Sequence, residues 1–373
     1  MSQDLSRLLP QFNLWKHQQD AIKMINNYLE AFTNKDTNRA SIIQMPTGSG
    51  KSGVIAITAR YISKVGAVLV LTPRISLKNQ LFRDIEYRFF KHANFDLAKL
   101  PKTVKRIDEG EVPPIANDPT ENVFVTTIQK LVSLKNNHPN IYKNFITDIS
   151  LVIVDEGHYE PAKEWSKVIR EIGVPKIVFT ATPYRNDFKV FDVDQNFKFV
   201  ISMKETVNNS YLRNVEIINR SKFNGPIEFV ADILEFYDST FQDLGDDPPR
   251  VIIRCEDRSE IRQIAQELIA RKRSVVGIHE SFRNEAGESW ERKTVPDPEN
   301  ESAVFWIHQF KLIEGIDDYR FQVLALYKKI NNGRAFIQQV GRIIRNPKQV
   351  SDSCGFVLDH WNGHHQNLWE GFL

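Results

Sequence analysis

Short runs that are apolar at every position recur along this chain, separated by stretches with a helical period. Ser41-Ile42-Ile43 comes first, followed by Ala67-Val68-Leu69-Val70-Leu71, Val123-Phe124-Val125, Leu151-Val152-Ile153-Val154 and Lys176-Ile177-Val178-Phe179. A second set follows: Val251-Ile252-Ile253, Ser274-Val275-Val276-Gly277, Ala303-Val304-Phe305-Trp306-Ile307 and Val323-Leu324-Ala325-Leu326. A strand with one wet face alternates, whereas an unbroken apolar run fits a strand covered on both faces, as in a parallel sheet between helix layers. Two such sets predict two α/β sheets in series. The rhythm loosens between about Phe188 and Asn224, which divides the chain into a first domain over 1–205 and a second over 206–373. Two polar stretches, Lys91 to Thr120 and Asn284 to Ser302, read as surface excursions.

The first strand runs into Gln44-Met45-Pro46-Thr47-Gly48-Ser49-Gly50-Lys51-Ser52, and a helix-like run, Gly53 to Arg60, follows. Strand, glycine-bearing turn, Lys-Ser and helix is the arrangement that cradles phosphates. Gly48 and Gly50 let successive N–H groups turn toward one anion, and the helix start adds its positive end. Lys51 would reach the outer phosphates of ATP, and the Ser52 hydroxyl would hold Mg²⁺. Met45 stands where the strict pattern has its first glycine, so the assignment needs support from the rest of the chain.

That support lies at the end of a later apolar run. Leu151 to Val154 leads into Asp155-Glu156-Gly157-His158, which delivers two carboxylates to the carboxyl edge of a sheet, where ligands of such sheets bind. Asp155 suits the Mg²⁺ shell and Glu156 suits orientation and deprotonation of a water. The bland alternative is an Asp-Glu pair capping a helix. Thr180-Ala181-Thr182-Pro183 follows the next strand. Near the end stands Gln338-Gln339-Val340-Gly341-Arg342-Ile343-Ile344-Arg345, with two arginines expected on one helical face, where planar guanidinium forks suit phosphate oxygens.

Composition narrows the partners. Across 373 residues, 41% hydrophobic and 26% charged content are those of a soluble globular protein, and the net charge of +2 exerts little global pull on polyanions. Any nucleic-acid surface must therefore be local. Lys78, Arg83, Arg88, Lys91, Lys99, Lys102, Lys105 and Arg106, with only Asp84, Glu86 and Asp96 among them, form a basic cluster that reads equally as a phosphate-tracking surface or as a solvated face. Cys255 and Cys354 lack metal-ligand spacing and form no disulfide framework, which suits a reducing, cytoplasmic setting. No signal peptide or membrane span is legible, and His364-His365 is expected as a surface pair.

Taken in order, these motifs resemble the core of a superfamily 2 helicase, of the DEAD/DEAH-like kind found in restriction and repair motors. The likeness runs from about Leu14 to about Arg345. It implies two tandem RecA-like domains, each a mostly parallel sheet flanked by helices, with ATP and Mg²⁺ bound between them. Leu14-Trp15-Lys16-His17-Gln18 resembles the adenine-reading element, with Gln18 facing the base. Leu71-Thr72-Pro73-Arg74 and Val125-Thr126-Thr127-Ile128-Gln129 resemble two strand-gripping motifs, and Val251 to Arg254 a third in the second domain. Phe310 to Asp317 resembles the motif that senses both ATP and strand, with Gly315 and Asp317 nearest the nucleotide. His158 would couple the acidic box to Gln338, and Arg342 and Arg345 fall on arginine-finger positions.

The resemblance thus implies Lys51, Glu156, Gln338, Arg342 and Arg345 as the groups that drive hydrolysis. Gln18, Pro46 to Ser52, Asp155, Glu156, His158, Gly315, Asp317, Arg342 and Arg345 would line the nucleotide, with Ser52 and Asp155 on the metal. Pro73, Arg74, Thr126, Thr127, Gln129 and Arg254 would contact nucleic acid, DNA in preference to RNA. Gly157 replaces the commoner alanine, and Cys255 and Asp257 depart from the usual strand-contact pattern. The chain stops soon after the last motif, which fits either a minimal core or a part of something larger with partner subunits or accessory domains. Two rivals remain: an ATPase switch of a restriction or defence complex that separates no strands, and a non-catalytic nucleic-acid-binding scaffold. A small-molecule kinase leaves the second sheet and its arginines unexplained.

Overall fold

The structure is a computed structural model and describes residues 7–62, 66–108, 122–156, 163–181, 192–242, 245, 247–282, 288–312, 316 and 318–372. The chain divides into two compact units, one of residues 1–46 and 50–202, the other of residues 203–373 with 47–49.

The first unit is built on β1 (Ala40–Gln44), β2 (Ala67–Thr72), β3 (Thr103–Arg106), β4 (Asn122–Thr127), β5 (Ile149–Val154), β6 (Lys176–Thr180) and β7 (Val193–Val200). They form one sheet in the order β3-β4-β2-β5-β6-β1-β7, every pair parallel. All six residues of β2 and of β4 are buried. The pleat sends successive side chains to opposite faces, and the burial follows it. Val68 and Val70 join the core that contains Ile22, Ile25 and Val54, while Ala67, Leu69 and Leu71 join the core that contains Leu131, Phe145 and Val168. This is why the runs read as continuously apolar.

One buried cation ties the first of these layers together. Arg60 is 5% exposed, and its guanidinium donates to the carbonyls of Ile85 (2.7 Å), Glu86 (3.0 Å), Pro101 (2.9 Å) and Lys102 (2.7 Å). Burial pulls its pKa down from the usual value, against the pull of Tyr61 and Glu86. Beside it Phe12, Tyr61, Phe89, Phe90 and Phe95 pack edge-to-face or tilted.

The second unit repeats the scheme with β8 (Asn214–Asn219), β9 (Arg250–Arg254), β10 (Val275–Ile278), β11 (Glu291–Arg292), β12 (Phe305–His308), β13 (Phe321–Leu326) and β14 (Cys354–Asp359). Their order is β11-β10-β12-β9-β13-β14-β8, again all parallel. Val251 and Ile253 enter one core and Ile252 the other. Two parallel sheets, each of seven strands and flanked by helices, are the tandem RecA-like arrangement.

Several expectations need correction. The stretch from Lys91 to Thr120 is not wholly an excursion, because β3 lies within it and pairs with β4 at the sheet edge. The stretch from Asn284 to Ser302 contains β11, and its Trp290 is only 8% exposed. Gly277 makes room for that indole, since a Cβ there would stand 2.7 Å from Trp290 Cζ3. The loosened rhythm between Phe188 and Asn224 holds β7, a helix at Met203–Asn208 and β8. His364-His365 is not a surface pair. His365 is fully buried, its ring nitrogens spent on Asp359 Oδ1 (2.8 Å) and on the Ile330 N–H (3.1 Å), so it pins the last helix to the sheet. Cys255 and Cys354 are free thiols. Among the described residues no helix is long and apolar enough to cross a membrane.

Candidate functional site

The loop after β1 adopts the backbone its glycines permit. Gly48 and Gly50 have φ of +86° and +83°, in the left-handed region that costs an L-residue about 1–2 kcal/mol. The helix Lys51–Ile57 begins immediately, with the Gly53 N–H on Gly50 O at 3.1 Å. Gln18, in the helix Lys16–Thr33, clamps this turn from the side. Its Nε2 donates to Gly50 O at 3.1 Å, and its Oε1 accepts from the Trp15 N–H at 2.9 Å. A carboxamide has two N–H groups and two oxygen lone pairs, so one donor and one acceptor remain for a base edge.

The strand β5 delivers the carboxylates. The Asp155 N–H donates to Leu71 O at 2.9 Å, carrying the β2–β5 pairing one residue past the strand. Glu156 then turns into the left-handed region at φ +53°. Its Oε1 lies 3.3 Å from Lys51 Nζ, with both side chains largely buried. The structure therefore brings the lysine of the loop and the second carboxylate of the acidic box together, although 105 residues separate them.

The donor set fits Mg²⁺. This ion takes hard oxygens from one or two carboxylates and completes its shell with phosphates and water. The hydroxyl of Ser52 and the carboxylate of Asp155 are donors of that kind. Among the described residues no group of three or more His, Cys, Asp or Glu side chains could hold a metal without a nucleotide. Thr180 is buried, and its carbonyl accepts from the Met45 N–H at 3.0 Å, so β6 braces the loop from beneath. His158, Gly315, Asp317, Gly157, Thr182 and Pro183 lie outside the described residues.

The predicted strand-gripping residues differ in availability. Pro73, Arg74, Thr127 and Gln129 line a shallow, open concavity with Ile75 and Ser76. Arg74 is exposed, and Gln129 is exposed with its Nε2 on Pro73 O at 2.8 Å. The two threonines are buried and already engaged. The Thr126 hydroxyl donates to Ile107 O (3.0 Å), while Thr127 Oγ1 accepts from the Lys130 N–H (3.1 Å) and caps a helix. In the basic cluster beside them, Lys78 and Arg106 share Asp108, Arg88 pairs with Asp84, and Lys102 donates to Gly66 O.

In the second unit, Gln338 and Arg342 ride the helix Gly333–Ile343. Arg345 does not share that helix, contrary to the one-face expectation. Its backbone bridges to Leu212, and Asn346-Pro347 follows, where the residue before a proline is pushed out of helical geometry. The two guanidinium groups nevertheless converge on one carbonyl: Arg342 Nη1 and Arg345 Nη2 donate to Ile316 O at 2.9 and 3.4 Å. Gln339, next to Gln338, is fully buried with His308, whose Nδ1 accepts from the Leu312 N–H at 3.2 Å. Burial, then the nearby Arg254, push the His308 pKa well below its usual value. Nothing in the local sequence singled out His308, because a lone histidine at a strand end carries no motif.

A glycine loop with Lys51 and Glu156 on one parallel sheet, and an arginine helix on a second, define a RecA-like nucleotide-binding core. The comparisons narrow the class. Residues 11–185 match the family model described as "Type III restriction enzyme, res subunit". The chain is 23% identical over 350 residues to "Putative helicase 22" of Sulfolobus islandicus filamentous virus (isolate Iceland/Hveragerdi), covering 85% of this chain and 60% of that relative's length. Its fold is similar to that of the ATP-dependent Type ISP restriction-modification enzyme LlaBIII bound to DNA (TM-score 0.62, 16% identity, 93% of this chain and 27% of that one). It is similar also to Saccharomyces cerevisiae Dbp5 bound to RNA and ADP BeF3 (TM-score 0.60, 13% identity, 97% and 92%). These likenesses support a superfamily 2 helicase core.

Proposed function

We propose that this chain is a nucleic-acid-dependent ATPase that translocates along or unwinds DNA. The observation that carries the reading is the placement of Lys51 Nζ 3.3 Å from Glu156 Oε1 beside a loop with two left-handed glycines. A triphosphate entering the loop would compete for the Lys51 ammonium, and release of that contact frees Glu156 to orient a water and accept its proton. Gln18 would read the base with its two remaining amide valences, and Arg342 and Arg345 would turn from Ile316 O to the transferring phosphate. Mg²⁺, held by Ser52 and Asp155, would neutralise charge on the phosphates. Pro73, Arg74, Thr126, Thr127, Gln129 and Arg254 are the proposed nucleic-acid contacts; of these, Arg74 and Gln129 have side chains already at the surface. Contacts of that kind touch the backbone and weaken steeply with salt.

DNA is preferred over RNA because the family model is that of a restriction enzyme subunit, and one similar structure is a restriction enzyme bound to DNA. The same likeness supports partner subunits. The test is ATP turnover with single-stranded DNA, duplex DNA, single-stranded RNA and duplex RNA in turn, on the wild type and on Lys51→Ala. Stimulation by DNA that Lys51→Ala abolishes is expected. Turnover in the wild type that no nucleic acid raises would overturn the motor reading.

A further inference from the structure

One feature at the carboxyl edge of the second sheet lies outside the residues proposed to line the nucleotide. Phe310, just past β12, is 57% exposed. A single exposed aromatic is ordinary, but this one is mounted. The guanidinium of Arg254, at the end of β9, sits 4.6 Å from the ring centroid. Arg254 Nη1 is buried and has no hydrogen-bond partner among the described residues, so the ring face is a principal contact of this cation. The preceding residue fixes the backbone. Gln309 Nε2 donates to Glu256 O beyond β9, and Gln309 Oε1 pairs with His279 Nε2 at 3.1 Å beyond β10. Three neighbouring strand ends thus hold one ring, one face on a cation and the other toward solvent. It is the carboxyl edge, where parallel sheets of this kind bind ligands.

The chemistry of that open face is specific. A cation against one face of a benzene ring draws π density toward itself. The outer face is then less repulsive to the π cloud of a second flat, electron-rich ring. Stacked nucleobases present such faces only when they are unpaired or at the end of a helix, since bases within a duplex are covered on both sides. The cation beneath also lends positive potential for the adjoining phosphates.

We propose that Phe310, backed by Arg254, is a stacking platform for an unpaired nucleobase, so that the strand this core tracks is single at the second unit. Arg254 then acts as a positioning residue through the ring. The inference rests on the motor reading and adds to it the state of the strand. It also distinguishes this chain from a motor that follows an intact duplex by backbone contacts alone.

The test measures equilibrium binding by fluorescence anisotropy for the wild type, Phe310→Ala and Phe310→Trp. Each is titrated with a single-stranded DNA, an abasic strand of the same length and a blunt duplex. Base–aromatic stacking lost to alanine should weaken single-strand binding by roughly five- to hundredfold. Phe310→Trp should retain it. The abasic strand should bind wild type and Phe310→Ala equally, and the blunt duplex, whose free stacking faces are its two end pairs alone, should lose less than the single strand. Equal loss on normal and abasic strands, or no loss on either, would overturn the platform while leaving the motor intact. A wild type that binds none of the three overturns both. Wild-type affinity for normal and abasic strands decides the matter even if Phe310→Ala does not fold, because stacking requires the base to matter.

Discussion

Truncation of Gln18 separates two roles that the family resemblance merges into one. The Gln18 amide bridges the Trp15 N–H and the Gly50 carbonyl, at 2.9 and 3.1 Å, with the residue only 6% exposed. Gln18→Ala removes both hydrogen bonds. Each contributes about 0.5–1.5 kcal/mol net, so the first unit should lose about 2 kcal/mol before any nucleotide is present. For a domain of this size each kcal/mol moves the melting midpoint by about 2–4 °C, which gives a drop of about 4–8 °C by calorimetry without nucleotide. Gln18→Glu keeps the oxygen for Trp15 but turns a second oxygen toward Gly50 O. Its folded pKa should therefore rise above the usual value of about 4.3. Stability from the protonated carboxyl is present below that value and is lost as pH rises through the folded pKa. The deficit of Gln18→Glu should accordingly shrink toward acid, while that of Gln18→Ala does not. An unchanged nucleotide-free midpoint in Gln18→Ala would refute the reasoning and leave Gln18 as a base reader alone.

Glu156→Gln should keep ATP affinity while cutting turnover by roughly 10²–10⁴; loss of ATP binding would make Glu156 structural. Arg342→Ala should lower turnover by up to roughly 10³–10⁵, on figures known for arginine fingers of GTPases, and Arg342→Lys should not restore it; an unchanged rate excludes the finger role. His308 stays neutral when folded because burial and Arg254 hold its pKa well below 6.5. The unfolded chain takes up its proton first, so this contribution is present above pH 6.5 and is lost as pH falls, at about 1.4 kcal/mol per pH unit. The midpoint of the second unit should fall from pH 7.5 to 5.5, and less steeply in His308→Asn, whose side-chain oxygen can still accept from Leu312; equal slopes in the two proteins would exclude it.

What the sequence made legible follows from how much of each feature is local. Nine strands announced themselves because both their faces are buried, and burial of that kind forces an unbroken apolar run. The strands that escaped are of another kind. At the edge, β7 has a single buried residue, Val193, its other positions being half-buried or exposed, and includes Asp194, Gln195, Asn196 and Lys198. In β11 there are two residues, and its buried Glu291 is paired with Arg262 at 2.6 Å. Next to an edge, β14 carries Gly355 as its second residue, where a Cβ would meet Ile343 O at 2.7 Å. Each gets its place from a neighbour far away in sequence, and no window of residues encodes that. The site divides the same way. Gly48, Gly50, Lys51, Asp155 and Glu156 stood out as candidates because the phosphate chemistry expected of them has a fixed local spacing. The second bond of Gln18, the shared carbonyl of Ile316 beneath Arg342 and Arg345, and the mounting of Phe310 on Arg254 did not. These are tertiary contacts between residues whose types are individually unremarkable. A motif therefore identifies which groups can carry out the chemistry, whereas the resting partners of those groups decide what must be broken before it starts. Lys51 and Glu156, which the sequence presents as parts of two unrelated motifs, lie 3.3 Å apart in the fold, and a triphosphate reaching the ammonium would have to compete with that contact.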